Sequence, residues 1–251
     1  IIHLNFKNNF FNKIKSIYKF YKFSKNNEYD IVQGWMYHGN FFAFIFWLFS
    51  KKCLLFWNLR QTLYSIKNEK FFTKVIIYLN CWLSKFPDLI ISNSETSIKQ
   101  HINFGFKKKN FIFIPNGVDL NKFKKKIRKN KNKNKNINIA HIARFHPMKN
   151  HILALKIANK IIETNKNIKF FFVGKNINYN NFYLKDKINK NFLKKNIFLL
   201  DEKKNINKFL RNIDILISTS SWGEGFPNVV LEATVMGIPC VSTNIGDTNK
   251  I

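Results

Sequence analysis

The stretch Asp214–Asp247 reads DILISTSSWGEGFPNVVLEATVMGIPCVSTNIGD. Asp214–Ser218 is a short apolar run closed by a polar cluster, the pattern of a buried strand. A glycine-containing polar loop follows, then a helical stretch at Asn228–Met236, then a second apolar run at Pro239–Ser242. This is the repeat unit of a parallel sheet, because parallel neighbours need a crossover and the usual crossover is a helix. Gly225 permits close backbone approach, and Pro227 suits the first helical position, where its missing N–H is not needed.

Upstream, the same alternation continues. Strands are predicted at Asp30–Gln33, Cys53–Trp57, Leu89–Ser92, Phe111–Pro115, Ile137–Ala143, Lys169–Val173 and Asn196–Leu200. Helices are predicted near Gly39–Phe49, Glu69–Lys85, Ser94–Phe104, Asn150–Thr164 and Asn205–Arg211. Continuously apolar strands between helices imply parallel, doubly wound sheets covered on both faces. Lys124–Asn136, KKKIRKNKNKNKN, breaks the rhythm with eight positive charges and no acid. Like charges repel, so it reads as a solvated linker. The expectation is therefore a partial domain at 1–120, a basic linker at 121–136 and a second partial domain at 137–251, both α/β. Ligands of such folds bind outside the carboxyl ends of the strands.

The 251 residues are 45% hydrophobic, enough for a sizeable core and too many for wholesale disorder. Lys and Arg number 43 against 14 acids, a net charge of +29. That balance suits anionic ligands and anionic lipid, and leaves a polyanion or nucleic-acid partner as an alternative. No RNP, zinc or helix-turn-helix signature supports specific nucleic-acid binding, and abundant Lys, Asn, Ile and Phe also fit A/T-rich codon usage. Cys53, Cys81 and Cys240 are widely spaced, so neither disulfides nor zinc are expected and a reducing cytoplasm fits. No signal peptide opens the chain at Ile1, and both ends read as cut. The most apolar run, Phe41–Phe49, is nine residues, well short of the roughly 20 that span a bilayer.

Chemistry gathers in two places. The helix start at Asn228 presents backbone N–H groups to an anion. Glu224 precedes it and Glu232 lies roughly 7–8 Å further along. With a pyrophosphate at the helix start, one carboxylate lies near a sugar and the other near a ribose, each able to accept from vicinal hydroxyls. The plainer reading is a capping acid and a partly exposed helical glutamate. The second place is Ala143–Asn150, ARFHPMKN, after a strand and opening a helix. Arg144, a planar fork, and Lys149, a point charge, both suit one pyrophosphate, while His146 reads as a local turn residue. No Asp-x-Asp pair is placed to bridge a diphosphate to a cation, so no metal is expected. Val173-Gly174 ends another strand. Pro115–Asp119 reads as a hinge in which Asn116-Gly117 supplies a left-handed backbone. In Trp35–Asn40, which follows a strand and starts a helix, His38 reads from the residues alone as a helix-start hydrogen bonder.

EGFPNVVLEA, with Gly237-Ile238-Pro239 and Thr243–Asp247 after it, resembles the Glu-x7-Glu signature of glycosyltransferase family 4. The ARFHPMKN turn, the hinge and the Trp-Met-Tyr-His turn are similar too. The resemblance covers nearly the whole chain, except for the family's opening strand, its glycine-rich turn and everything after Asp247. It implies a GT-B fold, two Rossmann-like domains facing a cleft, and transfer of a sugar from a nucleoside diphosphate to an acceptor hydroxyl with retention. Glu224 and His38 would then be catalytic. Arg144, Lys149, Gly225, Phe226, Asn228, Val229 and Glu232 would bind the donor, with no cofactor. The acceptor would be a glycan or lipid-linked saccharide. The location expected is cytoplasmic, with peripheral contact at the inner membrane face through Lys-rich surfaces such as Lys7–Lys25. An inactive sugar-nucleotide-binding fragment is the alternative.

Overall fold

Runs of β-branched and aromatic residues become strands, and within each unit successive strands are joined by a helix that carries the chain back over the sheet. In the computed structural model the described residues are 18–25, 29–50, 53–64, 66–124, 136–188, 192 and 195–251. Most of Lys7–Lys25 and of the basic linker therefore lies outside them. The chain divides into two units, Ile1–Pro115 and Asn116–Ile251. The division falls five residues before the boundary expected at 120, because Asn116 belongs with the second unit. Its side-chain amide donates to the Phe226 carbonyl (2.9 Å) and to Asn228 Oδ1 (2.6 Å). Neither Asn116 nor Gly117 takes a positive φ, so the expected left-handed turn is corrected. Asn116 acts there through its side chain.

Among the described residues of unit 1 the first element is a helix, described over 18–25 (α1). The unit continues through β1 (Ile31–Gln33), α2 (Met36–Ser50), β2 (Leu54–Leu59), α3 (Phe71–Leu83), β3 (Leu89–Ser92), α4 (Glu95–Phe104) and β4 (Phe111–Phe113). The strands are parallel in the order β1-β2-β3-β4, with Ile31 opposite Leu54, Trp57 opposite Ile90 and Ser92 opposite Phe113. Leu55, Trp57 and Leu59 of β2 are fully buried against Tyr37 and Phe44 of α2 and Ile77 of α3. Within this core the Tyr37 hydroxyl meets His101 Nε2 at 2.8 Å, and His101 Nδ1 meets the Ser97 carbonyl at 2.7 Å. A carbonyl only accepts, so Nδ1 carries the proton and Tyr37 donates. Helix α4 is closed at both ends, by the Ser94 hydroxyl accepting from Ser97 N and by left-handed Gly105.

Unit 2 contains β5 (Ile137–Ile142), α5 (His151–Thr164), β6 (Ile168–Val173), α6 (Phe182–Lys185), β7 (Ile197–Leu200), α7 (Ile206–Leu210), β8 (Ile215–Ser218), α8 (Asn228–Val235) and β9 (Cys240–Ser242). All pairings are parallel and the order is β7-β6-β5-β8-β9. Alternate strand residues feed two cores. Ile139, Phe170, Phe172, Ile197 and Leu199 pack with Ala154, Leu155, Ala158 and Ile162 of α5. Ala140 and Leu216 pack with Leu210 of α7 and with Val230 and Ala233 of α8. Winding reverses between β5 and β8, which makes the gap between their carboxyl ends the topological switch point of the sheet. No helix among the described residues is long and apolar enough to cross a membrane.

Candidate functional site

Two turns meet at that switch point. One leaves β5 as Ala143–Asn150, the other leaves β8 as Thr219–Pro227. The β5 turn is held to β6 by Ala143 N donating to the Val173 carbonyl and Phe145 N to the Lys175 carbonyl, both 2.9 Å. Gly174, at φ 152°, passes so close that a Cβ would collide with the Ala143 carbonyl, so only glycine fits. A short 3-10 turn, Pro147–Lys149, then leads into α5, and His146 accepts from Met148 N as a local turn residue. Asn150 caps α5 by accepting from Leu153 N.

The β8 turn is laced to this one through hydroxyls. Thr219 Oγ1 donates to the Lys149 and Asn150 carbonyls (3.0 and 3.1 Å). Asn150 Nδ2 donates to Ser221 Oγ (2.9 Å), and Ser221 N donates to the Met148 carbonyl (2.8 Å). Beneath them, His141 Nε2 contacts Thr219 Oγ1 at 3.0 Å, and because that hydroxyl's one hydrogen is spent on the carbonyls, the imidazole donates. His151 Nε2 donates to the Ala143 carbonyl, and the two rings lie 4.7 Å apart edge to face. Burial, then the neighbouring His151 and Lys149 charges, holds His141 well below the ordinary imidazole range. Burial likewise lowers His151 to about 4. Both rings are neutral at pH 7 and serve as struts.

The lacing brings the two predicted halves together. Lys149 Nζ forms an ion pair with Glu224 Oε1, their side chains 20% and 14% exposed. Ser220 Oγ donates to the same oxygen at 2.9 Å, fixing the carboxylate. The loop after β9 closes behind it. Asp247 N donates to the Gly225 carbonyl (2.9 Å), and Gly246, at φ 63°, lies where a Cβ would strike the Glu224 and Gly225 carbonyls. Thr243 Oγ1 donates to the Ser220 carbonyl (2.6 Å).

Helix α8 opens at the edge of this cluster. Pro227 is its N-cap rather than its first helical residue, one position earlier than expected, and no side chain caps the N-terminus. Its first N–H groups are therefore available to an anion. Asn228 is exposed at the helix start, Phe226 and Val229 are half-buried and Gly225 is buried. Glu232 is half-buried on α8, and burial pushes its carboxyl above the usual range. Arg144 is exposed and lines a groove of about 230 Å³ with Gly174, Lys175, Glu202 and Lys203, at the ends of β5, β6 and β7. Lys149, Glu224 and Glu232 are not part of that lining. His38 belongs to unit 1, exposed in the first turn of α2. No group of three or more His, Cys, Asp or Glu among the described residues is arranged to hold a metal ion.

Sequence reasoning missed His141, Thr219 and Ser220 as supports of the site. The only signal in the chain was a run of hydroxyls, Ser218–Ser221, directly after a strand.

The family model described as Glycosyl transferases group 1 matches residues 122–251, and that described as Glycosyltransferase Family 4 matches residues 2–122. An Escherichia coli UDP-Gal:alpha-D-GlcNAc-diphosphoundecaprenol alpha-1,3-galactosyltransferase is 32% identical over 145 residues, 54% of this chain and 37% of that protein. An uncharacterized glycosyltransferase of Methanocaldococcus jannaschii is 27% identical over 209 residues, 80% of this chain and 50% of that protein. The Anabaena HepE structure in complex with UDP and glucose superposes with a TM-score of 0.76 at 21% identity, covering 94% of this chain and 64% of that one. The chain thus spans a third to a half of the length of these curated relatives.

Proposed function

Because the chain belongs to the group 1 glycosyl transferases, we propose that unit 2 is the donor half of an enzyme that moves a sugar from a nucleoside diphosphate to an acceptor hydroxyl. The observation that carries this reading is the Lys149–Glu224–Ser220 constellation beside an uncapped helix start at the sheet's switch point. Cations and free N–H groups there suit a diphosphate, and a fixed carboxylate suits sugar hydroxyls. The relative named for UDP-Gal and the neighbour holding UDP and glucose support a UDP-sugar as donor.

In this reading Arg144, Lys149 and the α8 start take up the charge that develops on the departing diphosphate, in place of a metal ion. Gly225, Phe226, Asn228 and Val229 form the backbone floor of that subsite. Glu232 holds the ribose and Glu224 the transferred sugar. When donor enters, Lys149 exchanges part of its contact with Glu224 for phosphate. The anomeric carbon–oxygen bond breaks on the face where the acceptor oxygen attacks. Attack on the face of departure gives retention, and the acceptor's proton passes to the leaving phosphate. His38 contacts the sugar or the acceptor, a glycan or lipid-linked saccharide.

Calorimetry with UDP is the test. Arg144→Ala and Lys149→Ala are each expected to weaken UDP binding by about 1.5–3 kcal/mol, the range for a charged hydrogen bond. Unchanged affinity in both removes them from the site. Glu232→Ala should weaken UDP binding, whereas Glu224→Gln and His38→Ala should spare it and depress donor turnover. The reverse pattern for the two glutamates means the ligand lies the other way round.

A further inference from the structure

Asn116 is not among the predicted donor-binding residues, yet its side chain ends at the start of α8. Its Nδ2 donates to the Phe226 carbonyl at 2.9 Å and meets Asn228 Oδ1 at 2.6 Å. The first contact fixes the second. A carbonyl only accepts, so the Asn116 atom that faces Phe226 is nitrogen. The same nitrogen faces Asn228, so the Asn228 atom it meets is oxygen. The Asn228 amide is thereby held with its NH2 end turned away from Asn116.

Asn228 is exposed and is the first residue of α8. Val230 N and Leu231 N already donate to the Pro227 carbonyl, both at 3.2 Å. Among the described residues, the open donors of this helix start are therefore the N–H groups of Asn228 and Val229. An unrestrained asparagine accepts readily from nearby backbone N–H groups, which would close the helix start. With its oxygen tied to Asn116, Asn228 presents its amide nitrogen as a further donor. We propose that Asn116 is a positioning residue for the diphosphate. It orients the Asn228 side chain so that α8 offers a phosphate a side-chain donor beside its two open backbone ones. The inference rests on unit 2 being the donor half, and it adds a residue that acts on the ligand only through its neighbour.

NMR titrations of the 251-residue chain with UDP, and with uridine, which lacks the phosphates, test this. Asn116→Ala should weaken UDP binding about two- to tenfold, because binding must then order a freed side chain. Uridine binding should not change. Asn228→Ala should weaken UDP binding about tenfold or more, since a hydrogen bond to a charged group is lost. In the Asn228→Ala background, Asn116→Ala should have no further effect on UDP, because nothing is left to orient. Unchanged UDP affinity in Asn116→Ala overturns the proposal. So do additive losses in the double variant, and so does a parallel loss of UDP and uridine, the mark of a merely structural role. A wild-type chain that binds no UDP removes the donor reading and this inference together. Wild-type binding with an indifferent Asn116→Ala variant removes this inference alone.

Discussion

Gly246 occupies a backbone position that no other residue fits, pressed against the Glu224 and Gly225 carbonyls at φ 63°. Gly246→Ala therefore combines left-handed strain with a collision against the loop that holds the catalytic candidate. A loss of about 1–3 kcal/mol in urea unfolding is expected, with weaker UDP binding, because the loop must give way. The buried imidazoles set a pH dependence. Burial lowers His101 to about 4, against an ordinary value of 6.5, and His141 and His151 shift the same way. The unfolded chain takes up these protons first as pH falls, so stability is full above about pH 6.5 and is lost towards pH 4. For fully buried His101 alone the loss is about 3 kcal/mol, and urea midpoints across that window check it. A flat profile would mean that these rings open to water. Arg144, Lys149, Glu224 and Glu232 stand out in the chain because two turns after strands resemble a family pattern, and of the four the structure brings Lys149 and Glu224 into contact. His141 does not stand out, because its role depends on Thr219, 78 residues away and visible only once β5 pairs with β8.

At the scale of elements, the strands were readable because buried parallel strands are continuous apolar runs, such as Lys169–Val173 within β6 and Asp214–Ser218 around β8. Helix α6, Phe182–Lys185, escaped notice. Four residues carry no periodicity, and its start is set by the Asn181 side chain accepting from Leu184 N rather than by hydrophobic pattern. Caps of this kind are local and can be probed singly. Ser94 accepts from Ser97 N at 3.0 Å at the buried start of α4. Ser94→Ala is expected to lower the stability of unit 1 by about 1 kcal/mol, read from urea unfolding. An unchanged midpoint would mean that the Ser97 amide finds another acceptor. Pro227 shows the limit of reading caps from composition. Propensity suits it to the first helical position, yet its φ of −72° and extended ψ of 114° put it at the N-cap. The difference matters to the site, because a proline cap has no side-chain oxygen to compete for the first N–H groups of the helix.

At the scale of the molecule, each unit has its own core, so a ligand of unit 2 acts first on the stability of unit 2. UDP at a hundredfold its Kd should stabilise that unit by about 2.7 kcal/mol. The thermal transition lost on proteolysis of unit 2 is the one expected to rise, and a shift confined to unit 1 would place the ligand there. The sheet order carries a further consequence, in time rather than in space. Lys149 and Glu224 touch across a separation of 75 residues because β5 pairs with β8 as well as with β6. At translation speeds of about 5–20 residues per second, roughly 4–15 s pass between the synthesis of the two side chains. Through that interval β5, α5 and β6 have emerged and can begin their own core, while the Glu224 half of the ion pair does not yet exist. If the proposed function holds, a sugar nucleotide thus has nothing complete to bind on the nascent chain until α8 is made, and can favour folding only at its final stage.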